Sequence, residues 1–261
     1  MIQKAKLPTD IQEICLFLSE YAAGLMSSGA TCIRIEKNVG RIAAAWKMDV
    51  RMTIMPSHIM ICVWDQKRNI SYTNISRACF HQNNFCVNAQ LSKLSWEIAD
   101  SNAGFRESND RLKRIIQTPP LNRWKVLMLV SLANAAFCGL FGGDRISMLL
   151  VLIATMVGYK LKQDMQEDKA DIRFIFFCCA FVSSVIASGG YVFGWGNTPD
   201  IALGTSVLYL IPGIPYINAV SDMLDGHYIC SFSRIMNAVI LTFCLSAGLY
   251  GGLLVMNIYW F

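Results

Sequence analysis

Charge is what this chain lacks most. From Phe174 to Phe261 only Asp200, Asp222, Asp225 and Arg234 are charged. A water-soluble domain carries about a quarter of its residues as Asp, Glu, Lys and Arg. Such a stretch cannot cover a soluble surface, and over the whole chain only 16% is charged while 54% is hydrophobic. Recognisable catalytic signatures are missing as well. There is no GxSxG, HExxH, P-loop or GxGxxG pattern, so an enzyme is not expected. The ten cysteines include no CxxC pair, and His58, His81 and His227 are scattered. Neither a metal site, a disulfide framework nor a cofactor is expected from such spacing. The start, Met1 to Pro8, has no apolar core behind it, and the segment that follows carries Glu13 and Glu20. That is not a secretion signal, so the N-terminal half is expected in the cytoplasm.

What is present is a sharp division. Residues 1–120 carry ordinary charge and predict a soluble domain; residues 121–261 predict a membrane domain. A helix crosses the hydrocarbon core with roughly 20 apolar residues. Five stretches qualify: Trp124–Phe141, the short Ile146–Leu161, Phe174–Phe193, Ile201–Val220 and Ile235–Ile258. Trp124, Trp195, Tyr259 and Trp260 sit near their ends as interfacial anchors do. With five spans, the segments rich in Lys and Arg fall on one side. These are Arg111 to Arg123 before the first span, Lys160 to Arg173 between the second and third, and Arg234 between the fourth and fifth. The positive-inside rule makes that side the cytoplasm of an inner membrane. It also accounts for the net charge of +5 without nucleic acid as a partner. Small residues four apart (Ala135 and Gly139, Ala154 and Gly158, Ser184 and Ser188, Gly248 and Gly252) favour close helix packing in lipid.

The first half reads as two helices, a small and mostly antiparallel sheet, and two more helices. Thr9 and Gln12 form a capping-box pattern before the first helix, and Ser28-Gly29-Ala30 ends it. Strand-like runs occupy 50–55, 58–64 and 70–77, with a turn over 65–69; helices are predicted over 87–101 and 105–117, stopped by Pro119-Pro120. The fold class is therefore an α+β domain followed by an all-α domain of about five transmembrane helices.

The strongest local signal is Ile211-Pro212-Gly213-Ile214-Pro215 inside the fourth span. Proline removes a backbone donor and its ring clashes with the preceding turn. The helix must open there, and in a membrane its freed backbone groups need protein, water or solute as partners. Asn218 and Asp222 follow four apart on one helical face, with Asp225, Gly226 and Arg234 beyond. An acid here can bind a cation, relay a proton or pair with Arg234, and the sequence leaves these open. Arg34 and Glu36, two apart on a helix, do not face each other and taken alone read as solvated surface.

Together these pieces resemble a known family. Gly29-Ala30-x-x-x-Arg34-x-Glu36, then Leu140-Phe141-Gly142-Gly143, then Ile211-Pro212-Gly213-Ile214-Pro215-x-x-Asn218-x-x-x-Asp222-x-x-x-Gly226 with Arg234, match in order the signatures of threonine/serine exporters. The resemblance implies proton-driven export of small amino acids such as threonine and serine, or, in split members, of dicarboxylates such as succinate. It is closest to the larger subunit of the split type, in which a small second membrane protein supplies further spans, and implies an oligomer in lipid. On that reading Pro212, Gly213, Pro215 and Asn218 bind substrate, Asp222 couples to protons, and Arg34, Glu36, Gly226 and Arg234 are structural or gating residues. The rival expectation is a membrane-anchored regulatory or sensory module whose soluble half binds a ligand or partner.

Overall fold

The computed structural model describes residues 11–65, 70–78, 84–101, 103–119 and 121–258. Thr9 of the expected capping box, most of the turn at 66–69, His81, Pro120, Tyr259 and Trp260 lie outside them. The chain forms two compact units. One comprises residues 1–120 with 216–235, the other residues 121–215 with 236–261.

In the first unit, α1 (Ile11–Ser27) and α2 (Cys32–Ala45) precede strands β1 (Met48–Ile54), β2 (His58–Asp65) and β3 (Ser71–Arg77), followed by α3 (Phe85–Ser101) and α4 (Phe105–Ile116). The sheet is an antiparallel meander in the order β1-β2-β3, with Val50 opposite Val63 and Ile59 opposite Ser76. Alternation along β2 sends Ile59, Ile61 and Val63 into the core. There they join the apolar face of α1, of which Ile14, Leu18, Tyr21, Ala22 and Leu25 are buried at 0% exposure. Tyr21 donates from its hydroxyl to Leu91 O at 2.8 Å, which satisfies the one polar atom that this large ring carries inside. Burial pushes its phenol above the ordinary tyrosine range. The α+β domain read from the sequence is thus present, with each strand within two residues of its expected limits.

In the second unit, α5 (Arg123–Leu140), α6 (Arg145–Glu167) and α7 (Ile172–Ala187) lead to a single turn, α8 (Gly189–Val192). The chain continues through α9 (Pro199–Ser206) and a 3-10 turn at Leu208–Leu210 into α10 (Gly213–Leu224) and α11 (Tyr228–Val255). Among the described residues, four helices are long and apolar enough to cross a membrane, or five if the bent pair Pro199–Leu210 and Gly213–Leu224 counts as one span. That pair is bent by 60° at Ile211-Pro212, where the sequence places its break. Two spans run longer than their hydropathy suggests. The second continues through its Lys and Asp residues to Glu167, and the fifth begins at Tyr228. Apolar stretches mark the lipid-immersed part of a helix, while hydrogen bonding carries the helix beyond it.

Small residues set the packing of this unit. A Cβ on Gly158 would overlap the Tyr209 hydroxyl and Ser183 Oγ, and one on Gly248 would overlap Phe177 O. The loop before α6 is tied by Asp144, whose Oδ1 accepts from Ser147 N at 3.0 Å and Thr198 Oγ1 at 3.0 Å, while Oδ2 accepts from Asn197 N at 3.1 Å. These bonds, those to Ser147 first, hold the Asp144 carboxyl at about 2.

Two outcomes follow from these contacts. Gly248→Val forces α7 and α11 apart, at a cost of about 1–3 kcal/mol as in overpacked cores. Gly251→Ala meets the Phe181 ring at an ordinary 3.5 Å, so thermal unfolding in detergent separates the two variants. Asp144 contributes stability above its unfolded pKa near 4 and loses it as pH falls toward its folded value of about 2. The melting-temperature gap between wild type and Asp144→Asn is widest at neutral pH and closes in that acid window.

Candidate functional site

Two helix ends build the site, both in the first unit, and both end on glycine. α1 closes with Gly29 at φ +88°, Gly29 N donating to Met26 O and Ala30 N to Leu25 O, each at 3.1 Å. α10 closes with Gly226 at φ +84°, Gly226 N donating to Met223 O at 3.1 Å and His227 N to Asp222 O at 2.8 Å. This paired bonding is the Schellman arrangement, which requires a left-handed residue and so favours glycine. At Gly226 it reverses the chain, so that α11 returns Arg234 to the side of Asp222.

The turn between α1 and α2 leaves two carbonyls and one amide uncovered by local bonds. Residues far along the chain cover all three. Asn218 Nδ2 donates to Gly29 O at 2.9 Å, an Arg234 terminal nitrogen donates to Ala30 O at 2.8 Å, and Cys32 N donates to Asp222 Oδ1 at 2.8 Å. The last bond answers a need of α2. The first amides of any helix lack internal partners and are usually capped by the residue before them. Thr31 occupies that position and its side chain makes no capping bond. A carboxylate from 190 residues away takes its place, where the positive end of the helix dipole favours an anion.

Asp222 is fully buried. Its Oδ2 lies 3.1 Å from Arg234 Nε but off the N–H direction. The contact is therefore an ion pair, and Oδ2 has no hydrogen-bond partner among the described residues. Arg234 is itself nearly enclosed, its side chain 11% exposed. Cys32 packs against Cys230, and that contact, with burial and the nearby Asp222, pushes the Cys32 thiol up. Of the readings open for Asp222, the pairing with Arg234 is present.

The other expected residues lie in separate places. Glu36 Oε1 lies 3.5 Å from His227 Nε2 at the edge of the cluster. Arg34 points away from it and donates to Asn88 Oδ1 on α3 at 3.0 Å. Pro212, Gly213 and Pro215 form the bend in the second unit, where Gly213 N donates to Ile211 O at 2.8 Å. Sequence reasoning missed the Cys32 amide, the two carbonyls and His227. Backbone groups leave no mark in side-chain spacing. α10 is also an inverted amphipathic helix: its polar residues Asn218 and Asp222 are turned into the unit, while Ile217, Val220 and Leu224 are 70%, 52% and 83% exposed.

These features define a multi-pass membrane protein whose α+β domain is bonded to α10, the second half of the bent pair. A model of the family described as "Putative threonine/serine exporter" matches residues 16–256. The chain belongs to the threonine/serine exporter family. It is similar to the "Probable succinate transporter subunit YjjP" of Escherichia coli K12, 33% identical over 141 residues that cover 52% of this chain and 54% of that protein. The protein of the same name from Klebsiella aerogenes matches with the same identity and coverage. The match thus spans about half the length of these curated relatives. No solved structure matches.

Breaking the buried pair from one side leaves a charge without its partner, which typically costs about 3–5 kcal/mol. Asp222→Ala and Arg234→Ala each lower thermal stability strongly in detergent. The double variant loses clearly less than the sum, because the second change removes the orphaned charge. Strictly additive losses in such a cycle mean the two side chains are not coupled.

Proposed function

We propose that this chain is a subunit of a proton-coupled secondary exporter of small polar metabolites, either amino acids of the threonine and serine type or dicarboxylates such as succinate. The observation that carries the reading is Asp222. A fully buried carboxylate caps α2, pairs with Arg234 and keeps one oxygen without a hydrogen bond among the described residues. A buried carboxylate is costly unless its charge and its lone pairs are answered, and a buried acid held this way is a candidate proton carrier. Protonation of Asp222 removes its attraction for Arg234 and weakens its hold on the Cys32 amide. α10 then loosens from the Gly29–Cys32 turn, and Asn218 exchanges Gly29 O for solute. Pro212, Gly213 and Pro215 supply the open backbone that a broken span presents to solute. Arg234 and Glu36 hold the closed state, Gly226 provides the reversal on which it depends, and Arg34 anchors α2 to α3.

The membership in an exporter family supports transport, and the word "subunit" in the relatives' name supports a second membrane protein as partner. The distribution of Lys and Arg supports an inner-membrane protein with its α+β domain in the cytoplasm. The exposed apolar residues of α10 and of α11, among them Phe232 and Phe243 at 65% and 73%, suit lipid or that partner.

The test is efflux of threonine, serine and succinate from loaded cells, with and without the chain in its native genetic setting. One of these solutes leaves faster when the chain is present; no difference for any of them removes the transport reading. In Asp222→Asn, efflux no longer responds to an imposed proton gradient. The coupled rate falls by about tenfold or more, the weight of one charge-assisted bond. Wild-type coupling in that variant removes the proton role and leaves transport standing.

A further inference from the structure

The buried face of α6 follows a regular helical pattern. Ser147, Leu150, Val151, Ala154, Thr155 and Gly158 are its buried residues, spaced three and four apart as one face of a helix requires. The next position on that face is Lys162. The two charged neighbours on either side, Lys160 and Asp164, are displaced by two residues and point the other way. They close their own network, Lys160 Nζ to Asp164 Oδ1 at 2.6 Å and Arg123 to Asp164 at 3.0 Å, with Arg123 also bonded to Glu167. Lys162 has no carboxylate partner among the described residues.

Its ammonium turns instead over two aromatic rings, 5.5 Å from the centroid of Tyr159 and 5.4 Å from that of Phe176. Rings at this range attract a cation without neutralising it. The cation is therefore positioned while its charge stays available. Tyr159 meets Tyr209 edge to face at 6.0 Å, and the Tyr209 hydroxyl shares a hydrogen bond with Ser183 Oγ at 2.9 Å. That pair sits against Gly158, where a Cβ would overlap it, one turn or about 6 Å along α6 from Lys162. Deeper still, Asn134 Nδ2 donates to Thr155 Oγ1 at 2.6 Å and to Thr205 O at 3.1 Å. A seam of hydroxyl and amide groups thus runs inside the second unit, with one unneutralised cation at its end. Tyr209 belongs to the 3-10 turn that ends just before Ile211-Pro212.

We propose that Lys162 binds the carboxylate of the exported solute, with the Tyr209–Ser183 hydroxyl pair as its next station toward the break. This rests on the transport reading above and adds a residue to it. Threonine, serine and succinate share a carboxylate, so the site fits the class and not one member of it. The positive-inside reading puts this end of α6 at the cytoplasmic face, where an exporter must collect its load.

The experiment uses inverted membrane vesicles from cells that make the full chain in its native genetic setting, with labelled succinate, threonine or serine, whichever the wild type moves. Lys162→Gln raises the half-saturating concentration about tenfold or more, the weight of a charge-assisted hydrogen bond, while the maximal rate changes far less. Lys162→Arg keeps the charge and stays within about threefold of wild type. The amide analogue of the same solute competes poorly against wild type and loses nothing further in Lys162→Gln. As a measurement free of variants, saturating solute protects Lys162 of the wild type from amine acylation, read by mass spectrometry. An unchanged half-saturation in Lys162→Gln, or acylation indifferent to solute, overturns the assignment. So does an effect that appears only when anionic lipid is varied, since the lysine then serves headgroup phosphates. No transport by the wild type removes the reading on which the inference rests, and the inference with it.

Discussion

One carboxylate holds two distant parts of the chain in register. Asp222 supplies the cap that Thr31 does not give to α2, and it does so from inside a unit where water cannot substitute. A buried acid is expensive unless its charge and its lone pairs find partners. Arg234 answers the charge, the Cys32 amide answers one oxygen, and the second oxygen has no hydrogen bond among the described residues. The rest of the site follows from that requirement. Gly226 must turn the chain so that Arg234 can return. Gly29 must turn it so that the Gly29 and Ala30 carbonyls face Asn218 and Arg234.

The membrane unit solves a different problem with similar means. Helices in lipid gain little from burying apolar surface, so they associate through close contact and internal hydrogen bonds. Gly158 and Gly248 provide the close contact. Asn134, Thr155, Thr205, Ser183 and Tyr209 provide the bonds. Groups that satisfy one another in this way can also exchange partners with a polar solute, because each bond given up is replaced by one of the same kind.

Much of this is legible in the sequence. Alternation in 58–64 and the apolar periodicity of the first helices gave the α+β domain, and the Pro-Gly-Ile-Pro run gave the bend. The spacing of Asn218 and Asp222 placed them on one face. What escaped was every partner made of backbone: Gly29 O, Ala30 O and the Cys32 amide carry no signature that spacing can reveal. The end of α6 escaped for another reason. Lys160 and Lys162 look alike to a charge count, which reads both as flanking positive residues. Only continuation of the Ala154, Gly158 periodicity by one more turn separates the lysine that faces inward from the one that faces out. Hydropathy also does not register that the second half of the bent pair packs with the α+β domain.

The discontinuity of that first unit has a consequence for how the protein is made. Its opening segment ends near Pro120, yet its closing segment is Tyr216–Ile235. During synthesis, at about 5–20 residues per second, the Gly29–Cys32 turn waits on the order of ten seconds with its carbonyls and amide facing water. In that interval helices α5 to α9 are made. The domain that emerges first is therefore finished last.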